Sequence, residues 1–86
     1  MDFHVYDTYV KAKDGHTMHF DVITDSNQIE KAIEYAKKWL RGIGEEKSKI
    51  TSEECRFCHI QTVSEEIEIE IMTEGFFISK MAGCPQ

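Results

Sequence analysis

Residues 3–10 alternate side-chain character and are rich in aromatic and β-branched residues, which is the two-residue period of a strand. Asp14-Gly15 follows and signals a tight hairpin turn, because a two-residue turn of that kind needs φ > 0 at both central positions. Residues 17–24 alternate again and supply a second strand. A two-residue turn pairs Lys13 with His16, Val10 with His19 and Tyr6 with Ile23. Side-chain parity then gathers Phe3, Val5, Tyr9, Met18, Phe20 and Val22 on a core-facing side, with Asp7 as its oddity. His4, Tyr6, Thr8, Val10, His19, Asp21 and Ile23 share the other side.

From residue 25 the period changes. Asp25-Ser26-Asn27-Gln28 has the form of a helix start. Apolar residues then recur at Ile29, Ala32, Ile33, Ala36, Leu40 and Ile43, one buried stripe of a helix that stops at Gly42 and Gly44. Trp39, at the edge of the stripe, is expected to cover the sheet. Residues 45–49 form a charged connector, and a third strand is expected across 54–61. Residues 65–74 carry two signals at once. Ile67, Ile69 and Ile71 alternate with glutamates as in a strand, yet Glu favours helices, Thr62-Val63-Ser64-Glu65 has the capping-box form and Gly75 follows as a stop. We read a short helix burying Val63, Ile67 and Ile71. A last strand, 76–81, is apolar on both parities through Phe76-Phe77-Ile78, so it should be central or covered on both faces; as a bare edge it would invite pairing with a second copy.

The order β-β-α-β-α-β predicts an α+β fold: a two-layer sandwich with a mainly antiparallel sheet and both helices on one face. A chain of 86 residues forms one domain, 1–86. Its composition, 41% hydrophobic and 30% charged, is that of a soluble globular protein, with no apolar run long enough to span a membrane. Met1-Asp2-Phe3-His4 lacks the character of a signal peptide, so the expected compartment is the cytoplasm, where thiols stay reduced. The net charge of −6 falls within residues 45–74, where nine carboxylates meet Lys47, Lys49 and Arg56. Such a segment repels phosphate backbones, and no basic cluster offsets it; nucleic acid is not an expected partner.

Candidate chemistry centres on Cys55-Arg56-Phe57-Cys58-His59. Cys55, Cys58, His59 and Cys84, from the closing Gly83-Cys84-Pro85, are the ligand types of a tetrahedral zinc site. In a regular strand, however, Cys55 and Cys58 would point to opposite faces, and buried cysteine often serves as a small apolar side chain. A redox dithiol at Cys55 and Cys58 is a second reading, weakened by Glu53 and Glu54, whose charges raise a neighbouring thiol pKa. The run also has the letters of a haem attachment, with Met81 or Met72 as distal ligand, but that chemistry needs export. His4, Tyr6, His19 and Asp21 on one hairpin face offer a divalent-metal or acid–base site, set against a merely solvated face.

Phe3-His4-Val5-Tyr6-Asp7-Thr8-Tyr9-Val10-Lys11, Ser52-Glu53-Glu54-Cys55-Arg56-Phe57-Cys58-His59 and Gly83-Cys84-Pro85 together resemble a family of small bacterial proteins, the domain-of-unknown-function family numbered twenty twenty-four. The resemblance covers essentially the whole chain. It implies a stand-alone domain and brings no activity with it. Ile69 departs from it, since the family is more often polar and helical there, which favours the helix. The function expected from the sequence is a non-catalytic binding or structural domain with a zinc site at Cys55, Cys58, His59 and Cys84, with a homodimer or another protein as partner. The alternatives are a thiol enzyme using Cys55 and Cys58, and a His4/His19 site on the hairpin face.

Overall fold

In a computed structural model that describes residues 2–85, the alternating runs form strands and the periodic runs helices. The order is β1 (Asp2–Lys11), β2 (Thr17–Thr24), α1 (Ile29–Gly42), β3 (Cys55–Thr62), α2 (Glu65–Glu74) and β4 (Phe76–Ala82). The strands make one antiparallel sheet, ordered β3-β1-β2-β4. The α+β class and the order of elements are as the sequence predicts. Among the described residues no helix is long and apolar enough to cross a membrane.

The hairpin register differs by one residue from the expectation. Lys11 pairs with Thr17, Tyr6 with Val22 and Asp7 with Asp21. The cause is the turn. Gly15 has φ +96, but Asp14 does not enter the left-handed region that a two-residue turn would demand. Instead Lys13, Asp14 and Gly15 form a three-residue loop, closed by Ala12 N–H to His16 O at 2.7 Å and Gly15 N–H to Ala12 O at 2.9 Å. The Asp14 carboxylate accepts from the His16 backbone N–H at 3.0 Å and holds that loop. One residue of slip exchanges the faces of β1 relative to β2.

Tyr6, Val10 and Ala12 therefore join Met18, Phe20 and Val22 beneath α1, which contributes Ala32, Ala36 and Leu40. Trp39 covers Phe20 as expected, their ring centroids 4.6 Å apart, and Tyr35 stacks on Phe76 at 4.8 Å. Burying Leu40 alone stabilises by about 1.5–3 kcal/mol. Phe3, Val5 and Ile23 take the opposite face, where Ile71, Ile67 and Val63 of α2 and its approach cover them. Both helices were expected on one face; they lie on opposite faces, with the sheet between them. The slip in register is the reason, because it leaves apolar side chains on both sides of the sheet and each side needs its own cover.

Local signals account for the helix ends. Ser64, the N-cap of α2, accepts from Ile67 N–H, and Gly75 at φ +96 ends the helix with its N–H on Ile71 O. The start of α1 moves past the expected Asp25–Ser26 cap: Gln28 is the N-cap, without a side-chain bond. β4 lies at a sheet edge, yet Phe76 faces α1 and Phe77 faces α2. Phe76, Phe77 and Ile78 are thus covered, while Met81 near its end is exposed.

Candidate metal centre

α2 is ten residues long and covers only part of its face of the sheet. The same face of the two central strands continues past it into polar residues: Asp7 and Tyr9 on β1, directly across from Asp21 and His19 on β2. Two like charges set opposite one another in a ladder destabilise it, so the Asp7–Asp21 pair is costly to the fold.

Asp7, His19 and Asp21 each direct one ligand atom into a common space, and these atoms all lie within 4.8 Å of one another. His19 Nε2–H donates to Asp7 Oδ1 at 2.6 Å. The Tyr9 ring lies flat on the imidazole, centroids 4.1 Å apart and planes 9° apart, which sets the orientation of His19. Asp21 is only 8% exposed. Burial, then a hydrogen bond to the Asp7 carboxyl and its negative charge, push the Asp21 pKa up to about 6, against a smaller pull from His19 and His59. One imidazole and two carboxylates, one of them reluctant to ionise, can hold a divalent cation or pass a proton.

The residues singled out in the sequence are dispersed. Cys55 is fully buried on the α1 side, 3.5 Å from the Thr8 hydroxyl, and burial pushes its thiol up. That is the opposite of the activation a nucleophilic thiol needs. Cys58 is exposed at the point where β3 carries one extra residue against β1, between the partners of Val5 and Tyr6. Its sulfur lies 3.2 Å from His59 Nδ1, while His59 Nε2 meets Gln61 Oε1 at 2.7 Å. Cys84 follows β4, at the other edge of the sheet, and its thiol donates to the His19 carbonyl at 3.4 Å. With β1 and β2 between them, Cys84 does not meet Cys55, Cys58 or His59, and the expected convergence does not occur.

The His4/His19 face is likewise divided. His4 sits beside Phe57, which also meets Tyr6 on the α1 side, and its buried Nδ1 has no hydrogen-bond partner among the described residues. His19 and Asp21 stand on the other side, joined there by Asp7. Asp7 is the residue whose role the sequence reading missed; its signal was an acid within an otherwise apolar alternation.

The chain matches the family model described as Domain of unknown function (DUF2024) over residues 1–81. It is also similar to protein NE1680 from Nitrosomonas europaea, known from an NMR structure, at 60% sequence identity. That alignment covers 99% of this chain and 100% of the other, with a TM-score of 0.90. No curated protein matches. With nearly its whole length under that family model, this chain belongs to the DUF2024 family.

Proposed function

We propose that this chain is a small binding domain that takes up a divalent metal ion, zinc or manganese, at Asp7, His19 and Asp21. The observation that carries the reading is the convergence of three ligand atoms within 4.8 Å on the two central strands. One nitrogen and two carboxylate oxygens suit these metals better than soft ions that seek thiolates. The burial of Asp21 supports it further. A carboxyl that shares its space with a second carboxyl is relieved by a proton or by a cation. In the absence of metal, a proton on Asp21 fills that role. An ion takes its place, so uptake releases that proton and strengthens as pH rises through about 6.

Titration calorimetry with zinc chloride on EDTA-stripped protein, in two buffers of different ionisation heat, tests the reading. It should show one ion per chain with proton release. Asp21→Asn and His19→Ala should each weaken binding by about tenfold or more. Cys55→Ser, Cys58→Ser and Cys84→Ser should leave it unchanged. Binding that survives Asp21→Asn and disappears in the cysteine variants would place the ion instead with Cys55, Cys58, His59 and Cys84.

A further inference from the structure

We propose that β3 is the contact edge for a second copy of this chain, in a two-fold antiparallel strand pair centred on Cys58 and His59. Every residue of β3 after Cys55 is exposed, and among the described residues the outer side of this eight-residue strand has no partner in the sheet. Such edges are ordinarily guarded by lysine, proline, a bulge or a cover, and of these β3 has only the one-residue bulge at Cys58. β3 has neither lysine nor proline, whereas β4 carries Lys80 and has Phe76, Phe77 and Ile78 packed against the helices. Phe57 and Ile60 on β3 are 52% and 53% exposed.

The extra residue in β3 gives these two side chains a common direction. Residues three apart in a regular strand face opposite ways. Here Phe57 pairs with Tyr6 and Ile60 with His4, two positions apart on β1, so both stand on the α1 side of the sheet. Arg56 and Gln61 pair with Asp7 and Phe3 and stand together on the other side. A two-fold pairing sets Phe57 against the partner's Ile60, Ile60 against the partner's Phe57, and Arg56 against the partner's Gln61. Apolar meets apolar on one face and polar meets polar on the other.

Charge identifies the occupant as a second copy. The chain carries −6 in total, which opposes self-association over most of its surface, but residues 55–62 hold a single charged group, Arg56. In the two-fold register that cation faces an amide, and no like charges are opposed. A two-fold contact of this kind is self-complementary by construction.

Sedimentation velocity over a range of concentrations, in EDTA and a reducing agent, tests the edge independently of the metal reading. The wild type should shift reversibly from monomer to dimer as concentration rises. Ile60→Lys should remain monomeric, and Ile69→Lys, on the exposed side of α2, should dimerise like the wild type. On wild-type protein, NMR amide shifts of Phe57–Ile60 should move with concentration, which keeps the test valid should Ile60→Lys misfold. A monomer at every concentration would overturn the proposal. So would a dimer that survives Ile60→Lys, or concentration-dependent shifts confined to other strands.

Discussion

A carboxyl held at about 6 rather than 3.8, as that of Asp21 is, keeps its proton in mild acid where the unfolded chain has already lost it. Its contribution to stability is fully present below about pH 4 and is lost as pH rises through about 6. Asp21→Asn should therefore melt like the wild type near pH 4 in EDTA and above it at neutral pH. The gain should reach up to about 1 kcal/mol, the scale of relieving opposed like charges, or roughly 4–8 °C in a domain of this size. The same substitution should weaken zinc uptake by about tenfold or more, a combination that a merely structural aspartate would not give. Gly75→Ala carries a different cost. Its φ is +96 and the added Cβ would stand 2.7 Å from the Tyr35 hydroxyl, so a denaturant melt should lose at least about 1–2 kcal/mol. At this scale the sequence disclosed residue types but not their company. Asp7 stood out as an acid in a strand, and His19 and Asp21 were grouped correctly, yet the third member depended on a register that no residue states by itself.

Elements were legible because their signals are local. α1 followed from a stripe of seven apolar or aromatic positions along the helix. α2 is the sharper case. Its isoleucines alternate like those of a strand, but Ile71 is buried while Ile69 is 56% exposed, and Ser64 and Gly75 fix the ends. Ser64→Ala should cost about 0.5–2 kcal/mol through the lost cap, and Ile71→Ala about 2–5 kcal/mol through the cavity left over Phe3 and Val5. Urea unfolding followed by circular dichroism measures both. What remained illegible was where the elements sit. One loop residue more than the shortest hairpin allows sent Phe3 and Val5 to the far face, and α2 followed them there. That choice is decided by the turn's backbone, for which Asp-Gly serves in a longer loop as readily as in a shorter one.

For the molecule as a whole, strand order matters more than any single contact. β1 and β2 are flanked by β3 and β4, so the sheet cannot lose its middle until an edge has gone. Proteins open in stages, with margins fraying often and the interior only in rare global excursions. Asp7 and Asp21 belong to those central strands, whereas Cys58 lies on a margin and Cys84 beyond one. An ion gripping β1 and β2 together binds the part of the fold that separates last, and mass action then disfavours every excursion that parts them. Hydrogen exchange should report this directly. Zinc at about a hundredfold over its dissociation constant should slow the most protected amides of the sheet by about a hundredfold, leaving the frayed margins untouched. An ion held at the cysteines would slow the margin that it ties and leave the deep amides as they were. The lifetime of the folded chain, and not only the occupancy of a site, would then rise and fall with the supply of metal.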